Sequence, residues 1–146
     1  MNKFGTATPY IACFVLLRDG DKLACVLREN TGWMDGYYGL PSGKVEWGEP
    51  FSSGAVREAL EEVGVTIKPE DLHHALTLHR HSEDSDWVDV IFEVDAWEGE
   101  VINAEPHVHS EVAWLDLNNL PDNIIPAIRY SLEQIKLGNS YAEFGW

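Results

Sequence analysis

Basic residues are scarce in this chain: 10 Lys and Arg stand against 25 Asp and Glu, a formal net charge of −15 at pH 7. Proteins that grip nucleic-acid polymers draw most of their affinity from Lys and Arg set against phosphates. The balance excludes that class, and it excludes attachment to an anionic membrane surface for the same reason. Cysteine is rarer still. Cys13 and Cys25 sit in apolar stretches and form no C-x-x-C pair, so they read as buried, reduced thiols and not as a disulfide framework. No apolar run approaches the roughly 18 residues of a spanning helix. Residues 1–9 lack a basic segment followed by an apolar one. The expectation is a cytoplasmic protein that binds no polymer and no membrane. A small anionic ligand stays open, provided divalent cations bridge it to an acidic protein.

Repeats, linkers and low-complexity tracts are also missing, and 146 residues suit one domain over 1–146. A content of 45% hydrophobic and 24% charged residues is that of a globular protein. Residues 10–17 are apolar on both alternating faces and read as a central strand. Asp19-Gly20-Asp21 turns the chain into a second strand over 22–27, which makes a hairpin. Residues 30–36 form a loop, and 37–40 and 43–45 are short extended pieces broken by Pro41. Pro50 suits the first turn of a helix running to Val63, with Gly64 as its stop. Strands follow over 72–81, 87–96 and 112–115, and a second helix covers 124–137 with Ile125, Ile128, Leu132 and Ile135 on one stripe.

Chemistry concentrates in the first helix. Glu58, Glu61 and Glu62, at i, i+3 and i+4, fall within an arc of about 100°. Val56, Leu60 and Val63 fall opposite, with Ala59 at their edge, where they should face a core. Like charges so close repel, and hard divalent cations relieve the repulsion because magnesium takes carboxylate oxygens. A solvated acidic face would carry the same three glutamates. What precedes them tips the balance: Leu40-Pro41-Ser42-Gly43 and Glu46-Trp47-Gly48-Glu49 bring backbone carbonyls and a further acid to the same face.

This segment resembles the signature of the Nudix hydrolases. That signature reads Gly, five residues, Glu, seven residues, then Arg-Glu-apolar-x-Glu-Glu-x-Gly-apolar. Here Gly43 is followed after five residues by Glu49, and after seven more by Arg57-Glu58-Ala59-Leu60-Glu61-Glu62-Val63-Gly64-Val65. The one departure is Ala59, where a larger aliphatic residue is usual. The resemblance implies an α/β fold, a mixed β-sheet sandwiched between helices. It implies a metal site of Glu58, Glu61 and Glu62 with the Gly43 carbonyl, binding magnesium or alternatively manganese. Glu58, Arg57 and Glu61 would carry the catalysis, with Glu58 as the favoured base, a role that in this family can instead fall to a residue outside the signature, and Arg57 orienting a carboxylate; Glu49 is Arg57's partner and borders the substrate.

Beyond the signature, residues 97–105 resemble the loop from which mutator-type triphosphate hydrolases supply one more metal ligand. Glu105 falls at that place, with Glu111 competing. Asn123 resembles the position from which those enzymes read a purine edge, and Asn offers both a donor and an acceptor. The pairs His79-x-His81 and His107-x-His109 suit phosphate or ribose contacts, packing or solvent better than zinc, for want of Cys or a third well-spaced His. The marks of ADP-ribose, NADH and diadenosine polyphosphate hydrolases are missing. The implied substrate is a small nucleotide, a (d)NTP cleaved to the monophosphate and pyrophosphate. A nucleoside diphosphate sugar and a non-catalytic nucleotide sensor are the alternatives, and a homodimer is left open.

Overall fold

A computed structural model describes residues 3–146. Strands β1 (Tyr10–Asp19) and β2 (Lys22–Arg28) do turn at Gly20, but the expected hairpin exists only at its base. Arg18 faces Leu23 and Asp19 faces Lys22, and the strands then part. The reason lies in β1, whose two faces are both apolar and must both be covered. Cys13, Val15 and Leu17 join one core and Leu16 the other. Each fully buried aliphatic side chain is worth about 1.5–3 kcal/mol, and a one-residue slip would exchange the faces, so the register is firmly set.

After parting from β2, β1 lies between β4 (Ser42–Lys44), antiparallel, and β6 (Ser85–Val94), parallel. The sheet continues through β5 (His73–Ser82), antiparallel to β6, to β8 (Tyr141–Phe144), parallel to β5. Strand β2 runs between β3 (Tyr38–Gly39) and β7 (His109–Asp116), both antiparallel to it. Helix α1 (Phe51–Val63) covers one core and α2 (Pro126–Lys136) the other, so the mixed sheet lies between helices as expected. Strand β8 has no counterpart among the expected elements. It holds four residues and pairs with a strand far away in the chain, so it leaves almost no local pattern.

Helix α1 is rotated from its expected setting. Its buried residues are Gly54, Ala55, Glu58, Ala59 and Val63, while Leu60 is 53% exposed. The core stripe is therefore Ala55–Ala59–Val63, at steps of four; of the expected residues Val63 is buried, Val56 is partly buried against the same core, and Leu60 faces out. Small side chains let the helix approach the sheet closely. Gly54 meets the same demand, since a β-carbon there would stand 3.0 Å from the Cys13 sulfur. Ala59 thus suits this interface where a larger residue would force the helix away. At the far end Gly64 adopts φ 72°, and its N–H bonds the Leu60 carbonyl, ending the helix where expected. Helix α2 begins at Pro126, two residues later than expected, and buries Ile128 and Leu132. No helix among the described residues is long and apolar enough to cross a membrane.

Candidate active site

The rotation of α1 divides the three signature glutamates. Glu58 is turned inward and is 8% exposed, Glu62 is partly buried, and the Glu61 side chain is 52% exposed. Inward means toward β4. A β-carbon at Gly43 would overlap the Glu58 carboxylate, so glycine is required there for the acid to fit. The Ser42 N–H donates to Glu62 Oε2 at 3.0 Å. Two acids of one helix are thereby docked on Ser42 and Gly43 of one short strand.

Arg57 holds the remainder together. Its Nε and Nη2 meet the two Glu49 oxygens at 2.8 and 3.0 Å, a paired contact of the strong, directional kind. Nη1 donates to Glu58 at 2.7 Å and to Glu61 at 3.4 Å, and Nη2 also reaches the Lys44 carbonyl at 3.2 Å. Glu49 accepts the Glu46 N–H as well, which closes the loop before α1.

These surroundings push the acids apart in pKa. The Arg57 hydrogen bonds, helped by the Glu46 N–H, hold Glu49 down at about 2. Burial raises Glu58, and Arg57 only partly opposes it; the charges of Glu61 and Glu105 add to the rise. Burial lifts Glu62 to about 8 against the Ser42 N–H, with Glu58 and Glu105 adding repulsion. Glu105 comes from the loop before β7, and its charge is felt by both Glu58 and Glu62. That loop is tied to the end of α1, where the Ile102 and Ala104 N–H groups donate to the Val63 and Glu62 carbonyls. The Gly43 carbonyl faces the Cys13 thiol at 3.8 Å. Burial and the nearby Glu58 and Glu49 push that thiol up to about 11, so it is neutral although it borders the acids; it is free and buried, as expected.

Gly43, Glu49, Arg57, Glu58, Glu61, Glu62 and Glu105 are thus gathered in one place. Asn123 is engaged elsewhere. Its side-chain N–H donates to the Gly36 carbonyl at 3.0 Å, and its own carbonyl accepts the Tyr38 N–H, bracing the 30–36 loop. Glu111 is bonded to the Tyr38 hydroxyl. His79 and His81 pack on Trp146, and His109 is buried with its pKa lowered by burial, then by Arg28 and His107.

Among the described residues no three His, Cys, Asp or Glu side chains are close enough to hold a metal ion as they stand. Their carboxylates face Arg57 and the Ser42 N–H instead. The donor set nevertheless fits magnesium or manganese. It offers hard carboxylate oxygens, two of them on acids whose raised pKa marks negative charge that a cation would relieve.

Strand β4 also forms part of the wall of a cavity of about 820 Å³ on the α2 side of the sheet. Arg28, Lys44 and Arg80 all line it, three of only 10 cationic residues in the chain. None of the three stands out as a site residue from the sequence. The available signal is alternation: Arg80 shares its face of β5 with the core residues Leu76 and Leu78, where a cation is out of place unless it has work to do.

Solved structures share this architecture. A MutT NUDIX hydrolase from Burkholderia pseudomallei superposes with a TM-score of 0.80 at 27% identity, over 87% of this chain and 98% of that one. A MutT protein from Methanosarcina mazei Go1 gives 0.78 at 20% identity, over 90% and 96% of the two chains. YvcI of Bacillus subtilis, named an uncharacterized Nudix hydrolase, is 27% identical over 108 residues, which are 72% of this chain and 65% of the relative. The chain therefore spans a little under two thirds of that relative's length. A profile of the NUDIX domain matches residues 8–135. That stretch contains the acidic helix, the loop of Glu105 and every residue of the cavity wall, and the chain belongs to the NUDIX domain family.

Proposed function

We propose that the chain hydrolyses a phosphoanhydride bond in a small nucleoside diphosphate-linked molecule with the help of magnesium, or manganese in its place. The favoured substrate is a (d)NTP, cleaved to the monophosphate and pyrophosphate. The observation that carries this reading is the pairing of two pKa-raised glutamates, one buried and one partly buried, with an adjoining cavity lined by three of the chain's few cations. Glu58, Glu61, Glu62, Glu105 and the Gly43 carbonyl would hold the ion. When bound, it would polarise phosphate oxygens and acidify water.

The chain's own groups supply the rest. Arg57 positions Glu58 by a 2.7 Å hydrogen bond and is itself anchored by Glu49. Glu58, buried and with a raised pKa, suits the acceptance of a proton from the attacking water, a contribution of about 10²–10⁴-fold for a well-placed base. The water oxygen bonds to phosphorus, the bridging oxygen leaves with pyrophosphate, and the proton passes to the Glu58 carboxylate. Asn123 is the candidate for reading a base edge, because its side-chain N–H braces Gly36 while its side-chain oxygen has no hydrogen bond among the described residues. A nucleoside diphosphate sugar is the second reading, favoured by a cavity roomy enough for more than a base.

The test is a screen of nucleoside triphosphates and nucleotide sugars with magnesium, products resolved by chromatography. Pyrophosphate released from a triphosphate is expected; sugar phosphate would favour the second reading. A purified protein that binds nucleotides yet turns over none of them would leave only a sensor.

A further inference from the structure

The cavity contains a feature that phosphate hydrolysis does not require. Asp89 is 2% exposed, and Arg80 meets it side-on: Nε donates to Oδ2 at 2.6 Å and Nη2 to Oδ1 at 3.2 Å. Directly across the strand pair from Arg80 is Trp87, and the guanidinium lies over its ring at 4.9 Å from the centroid. The Trp87 indole N–H is bonded to Ser85, and its ring packs on Tyr10 at 4.8 Å. Arg80, Trp87 and Asp89 all line the cavity. Arg80 is thus fixed in plane by one neighbour and fixed in height by another.

Guanidinium carries five donors in a rigid fork. Asp89 takes the Nε–Nη2 edge, which leaves the edge formed by Nη1 and the second Nη2 hydrogen. Nη1 has no acceptor among the described residues. A buried ion pair is a poor stabilising device, since apolar residues of like volume commonly serve as well. Its presence in a cavity wall is better accounted for by the edge it presents.

We infer that Arg80 is a specificity-determining residue, positioned by Asp89 and Trp87 to receive a substrate group that presents two adjacent hydrogen-bond acceptors in one plane. This rests on the reading of the cavity as the nucleotide site. Outside the phosphates, which all such substrates share, two sources carry that chemistry: the O6 and N7 edge of an oxopurine, which arginine pairs with bidentately, and the carboxylate of an acidic sugar. Adenine and a neutral hexose lack it.

The experiment is calorimetric titration, with magnesium, of the purified chain with the α,β-methylene analogues of GTP and ATP, beside UDP-glucuronate and UDP-glucose. One member of one pair is expected to bind roughly tenfold to a hundredfold more tightly than its mate, the discrimination a bidentate arginine contact supplies. A guanine preference assigns the edge to a base, and a glucuronate preference assigns it to a sugar acid. The preference should collapse in Arg80→Lys, which keeps the charge but not the fork. The double replacement of Arg80→Met with Asp89→Leu removes both charges together and strands neither, so it gives the same reading if the single variant folds poorly. Equal affinity within both pairs, a preference that survives Arg80→Lys, or no binding at all overturns the inference. Preferential binding without turnover of the parent GTP or UDP-sugar refutes the hydrolase reading alone, and turnover without preference refutes the Arg80 assignment alone.

Discussion

Glu49 and Glu62 are the same residue type in one cluster, yet their surroundings move them in opposite directions, to about 2 and about 8. They act oppositely on stability. The folded pKa of Glu49 lies below its unfolded value, so the stability it contributes is present above about pH 4.5 and lost as pH falls toward about 2. The folded pKa of Glu62 lies above its unfolded value. The native state therefore binds more protons than the unfolded chain, and stability declines as pH rises from about 4.5 to about 8. Glu62→Gln removes that decline, because an amide does not ionise. Melting the metal-free wild type and variant side by side between about pH 5 and pH 8 should show the variant gaining steadily on the wild type. Turnover with magnesium should fall by orders of magnitude in the same variant. Parallel melting curves, or activity within a fewfold of wild type, would remove Glu62 from the desolvated acidic cluster.

At the scale of elements, the segment 43–65 is the most legible part of the chain. Its spacing places α1, its C-terminal glycine and the acids within one turn of where they lie. The rotation of the helix is not legible, because apolar character favours Leu60 while the contact demands small Ala55 and Ala59. Arg80 and Asp89 escape notice for a related reason. They come from two strands, and only the β5–β6 register, with Leu78 opposite Asp89 and Arg80 opposite Trp87, brings them together. Gly64 joins two elements, since it ends α1 next to the loop that carries Glu105. Its φ of 72° suits glycine, and a β-carbon there would come 2.9 Å from Ile102. Gly64→Ala should therefore cost about 1–2 kcal/mol through the left-handed backbone alone, with the Ile102 clash added. Chemical denaturation measures this directly. A loss of a few tenths of a kcal/mol would mean that the loop yields freely to the helix end.

Across the whole molecule, net charge acts over a longer range than any local contact. A net −15 on a chain of this length repels itself, and the compact state bears more of that repulsion than the unfolded one. Raising ionic strength from about 0.01 M to about 0.15 M shortens the screening length from about 30 Å to about 8 Å. The melting temperature of the metal-free protein should rise over that interval with sodium chloride, without any specific ion. A flat or falling curve would mean that local pairs such as Arg57–Glu49 and Arg80–Asp89 outweigh the general repulsion.

The parting of β1 from β2 has a further consequence, one of time. Because the two strands share only two residue pairs, β1 gains little from its neighbour in sequence, and beyond its three pairs with β4 it must wait for β6, where Tyr10 meets Trp87 and Leu17 meets Val94 in parallel. Closing a loop that long before its contacts reward it slows folding. Helix α1 makes its backbone bonds within 13 residues and closes no long loop, so it can form earlier. The wall of Arg80, Trp87 and Asp89 exists only after β5 and β6 have docked, so the acidic helix is expected to be in place before the cavity that receives the substrate.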